Sequence, residues 1–360
     1  YNCYNVPNLR FPEFSGEWEM SSIGEQFELY SGNTPSRMNK NQFDGSINWI
    51  TSGELKEHYI SDTKEKISEE AAKNNSLKLL PVGTFVIAIY GLEANGVRGT
   101  CSITTRESTI SQACMAFTSK MDIQNEFLYS WYKKHGNIIG IKYAQGTKQQ
   151  NLSYDIIERF NISYPCMEEQ KKLIRFISLI DQRIATQNKI IEDLKKLKSA
   201  ISERLFNAIK GDVVVLEDIG DVVKGKQING EFLSESGKYY VMNGGIEPSG
   251  FYNDYNVEAN TISISEGGNS CGYVQFNACP FWSGGHCYTI QNTTDNVKTE
   301  YLYQFLKSKE SEIMKLRIGS GLPNIQKKDL AKFKITIPNI SEQKVISAFL
   351  SSFERKAEIT

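Results

Sequence analysis

The chain has 360 residues, 40% hydrophobic and 23% charged, which is the balance of a globular protein and not of a disordered one. Its 41 basic and 42 acidic side chains leave a net charge of −1, so the chain as a whole lacks the positive excess of a strong nucleic-acid binder. No apolar run reaches the length of a membrane span and no charged-then-apolar leader opens the sequence, while seven cysteines without a C-x-x-C pair fit reduced thiols; a cytoplasmic protein is expected.

In chain order, the polar segment TKEKISEEAAKNNS (63–76) is helix-prone, and TFVIAIYG (84–91) has the composition of a buried strand. EFLYSWYKK (126–134) is a short amphipathic helix, followed by a β-like exit that ends at Pro165. A long helix then runs from about 168 to 207 with no internal Gly or Pro, its Glu168-Glu169 pair suited to the positive N-terminal end. Beyond it the same order returns. NTISIS (260–265) is a strand, the Gly-rich SEGGNSCG (265–272) a hairpin turn, PFWSGGHCYTI (280–290) strand-like, 300–308 a short helix, and FKITIP (333–338) a strand closing on Pro338 before a second helix.

The return is an internal repeat. Residues 151–177 align without gaps on 324–350 at an offset of 173, with Asn151/Asn324, Phe160/Phe333, Ile162/Ile335 and Pro165/Pro338 identical. Glu169-Gln170-Lys171 coincides with Glu342-Gln343-Lys344. The offset is 177 at Thr84/Thr261 and 193 at Ile23/Leu216, so the first copy carries about 20 extra residues, most of them from 63–76. Stepping 4 and 3 along the long helix from Leu173 gives Ile177, Ile180, Ile184, Gln187, Ile191, Leu194, Lys198, Ile201 and Leu205, a coiled-coil seam. The second copy begins the same seam with Ile346, Leu350, Phe353 and Ala357, and antiparallel pairing of the two helices is expected. The second helix stops about 20 residues short of the first, which leaves room for a continuation, just as an opening Tyr1 instead of Met leaves room ahead of it.

Catalytic signatures are missing. There is no Pro-Pro dipeptide for an Asn/Asp-Pro-Pro-aromatic methyltransferase motif, no G-x-x-x-x-G-K-[ST], no G-x-G-x-x-G and no Pro-Asp opening a nuclease carboxylate cluster. His286 lies among Cys271, Cys279 and Cys287, but the spacing matches no common zinc module, so a buried structural role is expected and no metal. Phe281 and Trp282 are taken as core residues and not as base-stacking ones. Local charge is uneven: 307–334 holds eight basic and three acidic residues.

These residues carry a family resemblance. The order of unit, E-Q-K helix, unit, E-Q-K helix resembles the specificity subunit of type I restriction–modification enzymes, as do LRFPEFSGEWE (9–19), YSGNTPSR (30–37), INWITSGEL (47–55), VMNGGIEPSGFYNDYN (241–256) and CPFWSGGHCYTI (279–290). The resemblance implies an α+β fold with two similar target-recognition domains, 1–165 and 210–338, joined by long coiled-coil helices at 166–209 and 339–360 in a pseudo-two-fold repeat. It implies that each unit reads half of a bipartite site on double-stranded DNA. Two methyltransferase subunits would dock on the helices, bring S-adenosylmethionine and methylate adenine. Restriction subunits, where present, would add ATP and magnesium chemistry. The chain itself is then expected to hold no cofactor and no catalytic residue. Near-zero charge suits a chain whose partners supply most phosphate contacts.

On this reading DNA contacts fall on polar and basic loops. Arg37, Lys40, Thr51, Lys148 and Gln149 are the candidates of the first unit, and Lys226, Gln227, Lys315, Arg317 and Gln326 those of the second. Leu173, Ile177, Ile180, Ile184, Ile191, Leu194, Ile201, Leu205, Ile346, Leu350 and Phe353 are the candidates for helix and subunit packing. A protein-interaction scaffold with duplicated heads would share the coiled coil and the missing motifs; the basic stretch 307–334 favours DNA.

Overall fold

The computed structural model describes residues 7, 9–94, 96–120, 122–146, 149–319, 321 and 323–359. The chain divides into two compact units, Tyr1–Arg183 and Ile184–Thr360, with the dividing point inside the long helix.

In the first unit, strands Phe27–Ser31, Cys114–Ser119, Phe85–Ala88, Cys101–Thr104 and Tyr59–Ile60 form one sheet in that order. In the second, Asp221–Lys224, Cys287–Gln291, Thr261–Ser265 and Val274–Asn277 follow the same order. Each unit adds a three-stranded sheet containing a parallel pair: Ile47–Ile50 with Ser108–Ile110, and Tyr239–Met242 with Trp282–Ser283. Each is closed by an antiparallel pair that brings its two ends together, Glu19–Ser22 on Asn161–Tyr164 and Asp212–Val215 on Lys334–Ile337. The repeat is thus one of topology as well as of sequence. The 63–76 segment folds into strand Lys66–Ile67 and helix Glu69–Asn74, which cover Trp49 in a small core that includes Ala71 and Leu77. The Gly-rich 265–272 segment is the connection between two antiparallel strands, as expected.

The short helices are Asn125–Tyr143 and Thr299–Ser308. The first outruns its sequence pattern because its two glycines are packing positions: a Cβ at Gly136 would meet the Tyr132 ring and one at Gly140 the Arg98 side chain.

The repeated glutamine has a structural cause. Gln170 is fully buried, its amide donating to the carbonyls of Pro165 and Asp122 while its oxygen accepts from Gln124 N at 3.0 Å. Gln343 does the same with Pro338, Asn296 and Lys298 N, at 2.9, 2.9 and 2.8 Å. One side chain in each copy therefore ties the long helix to the strand that precedes it and to the start of the short helix, and satisfies the buried carbonyl of Pro165 or Pro338.

The long helix, Met167–Ala208, begins with Leu173 packed on the first core. Within the second unit it lies antiparallel to the second long helix, Ile340–Ile359: Ile191 and Leu194 stand beside Phe353 and Ala357, Lys198 Nζ donates to Glu354 at 2.6 Å, and Leu205 stands beside Ile346. Leu350 is wholly buried there, with Ile201 and Leu205 packed on the same core. The expected continuous seam is interrupted. Ile177, Ile180 and Ile184 are 37%, 42% and 54% exposed, whereas Ile201 and Leu205 pack on the second core.

Candidate nucleic-acid interface

In the second unit the strand Asp221–Lys224 runs into a loop that lies flat on residues 282–285. Gly225 N and Lys226 N donate to the carbonyls of Cys287 and Ser283 at 2.9 and 2.8 Å, and the half-buried Trp282 ring donates back to the Lys226 carbonyl at 2.9 Å. The contact requires glycine at 225, where a Cβ would overlap the Gly284 carbonyl, while one at Gly285 would displace the Gln227 side-chain amide. Asn243 and Gly244 approach from the other side, Asn243 Oδ1 accepting from His286 N at 3.2 Å and Ser265 Oγ donating to the Gly244 carbonyl at 2.6 Å. Asn324 closes the group by bridging both Ile318 and Gly267, and Ile325 N donates to Glu266 O at 2.8 Å.

Five loops thus converge around Glu266 and His286, and the second-unit candidates sit on them. Lys226 and Gln227 are exposed on the first loop. Lys315 and Arg317 are exposed on the approach to Ile318, and Arg317 lies close enough to Cys271 that its positive charge pulls that thiol down while burial pushes it up more. Gln326 is exposed, its amide donating to Asn324 at 3.1 Å. The fully buried Phe281 stacks on Tyr240 as a core residue. Cys271 and Cys287 are buried, Cys279 is exposed, and Cys271 Sγ donates to the Glu266 carbonyl.

The first-unit candidates are less gathered. The Arg37 guanidinium forks onto both oxygens of Glu65 at 2.7 and 2.8 Å and lies 5.1 Å from the Phe43 ring; the pairing raises the arginine and lowers the glutamate from their ordinary values. Glu65 belongs to the segment extra to the first copy, so this arginine is partly neutralised by an insertion. Lys40 is exposed at the start of a short turn, Lys40–Phe43. Thr51 is occupied locally, its N–H and hydroxyl both donating to Glu54. Gln149 is exposed two residues before Asn151, which bridges Gln145, and Lys148 lies outside the described residues. No described contact joins Gln149 to Arg37 or Lys40.

Glu266, at the centre of the second-unit cluster, escaped the sequence reading, and His286, expected in a buried structural role, is instead exposed at the surface beside it. Glu266 is 8% exposed; its Oε1 accepts from Lys224 Nζ at 2.6 Å and faces the Tyr288 hydroxyl at 3.0 Å, and its Oε2 has no hydrogen-bond partner among the described residues. His286 Nδ1 stands 3.8 Å from Oε2. Burial first, and the Glu266 charge second, hold the Tyr288 phenol far above its usual range, so it remains a hydroxyl. The signal was available in the repeat, where the offset of 177 sets Glu266 against Ile89.

Comparison with known proteins agrees with this layout. The family model described as type I restriction modification DNA specificity domain matches residues 15–196 and again 210–360. The chain is 26% identical to the type I restriction enzyme MjaIX specificity subunit of Methanocaldococcus jannaschii, over 89% of this chain and 83% of that one. It is 28% identical to the EcoR124I/EcoR124II specificity subunit of Escherichia coli, over 54% and 48%. The solved S subunit of a type I restriction–modification system from M. genitalium shares the fold with a TM-score of 0.64, at 18% identity, across 98% of this chain and 93% of that one.

Proposed function

Since the chain belongs to the type I restriction–modification DNA specificity family, which its family model matches over both halves, we propose that it is the subunit that selects the DNA site. It reads a bipartite sequence on double-stranded DNA, one half with each unit, and docks modification and restriction subunits. The observation that carries this is the duplicated topology: two heads of the same strand order, closed by the same glutamine clamp, on helices of a common seam. Residues 1–165 and 210–338 act as the reading domains, and 166–209 with 339–360 as the helical connector.

The chain supplies recognition and not chemistry. Two methyltransferase subunits bring S-adenosylmethionine and methylate adenine; restriction subunits add ATP and magnesium. The exposed Ile177, Ile180 and Ile184 belong to the docking surface for these subunits, and the work is done in the cytoplasm. Lys226, Gln227, Lys315, Arg317 and Gln326 contact DNA from the second unit. Lys40 and Gln149 lead in the first, with Arg37 acting once it is released from Glu65. Arginine and glutamine suit guanine and adenine edges, and lysine suits phosphate.

The test is to map methylated adenines in cells carrying this chain with its modification subunits, then to exchange 210–338 for the matching unit of a relative. A split motif in which one half alone changes is expected. Methylation by the purified chain alone, or a motif that changes in both halves, refutes the reading.

A further inference from the structure

The two units differ most sharply at one place inside their shared frame. Ile89 N donates to the Ala113 carbonyl and Ile89 O accepts from Leu152 N; Glu266 makes the same two bonds with His286 and Ile325. Ser31 is registered opposite Met115 as Lys224 is opposite Tyr288. Four equivalent positions are therefore Ser31, Ile89, Ala113 and Met115 in one unit, and Lys224, Glu266, His286 and Tyr288 in the other. Ile89 and Met115 are core residues, 3% and 0% exposed. The second unit has exchanged part of that core for a buried carboxylate and its partners, an exchange that weakens packing and costs desolvation.

A carboxylate is also the wrong charge next to a surface that approaches phosphates, so phosphate attraction does not explain Glu266. Its geometry does. The Glu266 side chain is 11% exposed and the Lys224 side chain 52%, so a buried carboxylate holds, at 2.6 Å, the ammonium of a lysine whose side chain is half open to solvent. An unheld lysine on a flexible stem grips phosphate as a point charge; one with an N–H committed to a fixed oxygen has its other two aimed.

We propose that Glu266 is a positioning residue for base reading by the second unit, holding Lys224 so that its two remaining N–H groups meet the O6 and N7 acceptors of a guanine in the major groove. The assignment rests on the reading of the chain as a DNA specificity subunit. It adds Lys224 to the base-contacting residues and predicts a guanine in the second half-site.

The experiment uses the complex of the full chain with its modification subunits, and duplexes in which each base of the bipartite site is varied singly. Glu266→Gln is expected to lose roughly ten- to hundredfold of discrimination at one guanine, or at it and its neighbour, in the second half-site, leaving the first half-site untouched. Lys224→Gln should lose the same position, and the double variant no more than either single one. Affinity for unrelated duplex should stay level or rise in Glu266→Gln, since a negative charge has gone; simple electrostatics therefore predicts the opposite sign for the specific site. Glu266→Ile with Tyr288→Met installs the pair that the first unit folds with, and should show the same relaxed position with a cooperative thermal transition. Full discrimination retained at every second-half position in Glu266→Gln, loss spread evenly over both halves, or an intact preference in Lys224→Gln overturns the proposal. A wild-type complex without bipartite preference would instead overturn the functional reading beneath it.

Discussion

Replacing Gln343 by leucine tests how the repeated Glu-Gln-Lys motif works. The substitution nearly preserves volume but removes three hydrogen bonds at a site with no solvent exposure, leaving Lys298 N–H and the carbonyls of Asn296 and Pro338 without that partner. An orphaned buried group costs about 1–3 kcal/mol; the Pro338 carbonyl is fully buried, whereas the Lys298 and Asn296 groups are partly open to water and cost less, so the sum is about 2 kcal/mol. For a unit of this size that is a fall of about 4–8 °C in melting temperature. Circular dichroism gives the shift, and hydrogen exchange read by mass spectrometry should place the loosening at the Lys298–Thr299 start of the short helix. Gln170→Leu should do the same to the first unit at Gln124. Lys171 and Lys344 are exposed, and alanine at either should change stability by no more than about 0.5 kcal/mol. The glutamates separate the copies: Glu169 is buried and paired with Arg10 through both oxygens, whereas Glu342 is exposed, so alanine should loosen the first unit and spare the second. A drop below about 1 kcal/mol for Gln343→Leu would refute the clamp.

Two further outcomes are expected. Burial pushes the Cys101 and Cys114 thiols up to about 12, which removes the thiolate at about pH 8; iodoacetamide on the native chain should label exposed Cys166 and Cys279 and spare both, and prompt labelling of Cys114 would contradict its packing. Deleting residues 181–184 from the exposed stretch of the long helix removes about 6 Å and slightly more than one turn, so the preferred gap between half-sites should shrink by one or two base pairs; an unchanged gap in an active variant would show that this helix does not set the spacing.

What the sequence revealed and what it hid divide along one physical line. Contacts near in the chain, or duplicated in both copies, were legible: the strand exits at Pro165 and Pro338, the long helix, and the hairpin at 265–272. The function of Gln170 was visible only as a recurrence, because its partners at 122 and 124 lie 48 and 46 residues upstream and are joined to it by folding alone. Arg37 looked like a free base reader since Glu65, 28 residues away, is brought to it by the extra segment. The seam counted Ile177, Ile180 and Ile184 with Ile201 and Leu205, because heptad spacing reports which face is apolar and not what packs on it.

Repetition offers a remedy for the hidden part, because each copy is a control for the other. Where both hold the same residue at a buried polar position, as at Gln170 and Gln343, the frame itself requires it. Where one holds isoleucine and the other glutamate at the same register, as at Ile89 and Glu266, the frame demonstrably closes without the charge. A residue that costs desolvation and is not needed for closure needs another reason, and base reading by the second unit is the reason we propose for it. The polar and basic loop candidates stand around Glu266 without including it or Lys224, since a search of loops for cations and amides passes over a strand-end lysine and the buried anion paired with it.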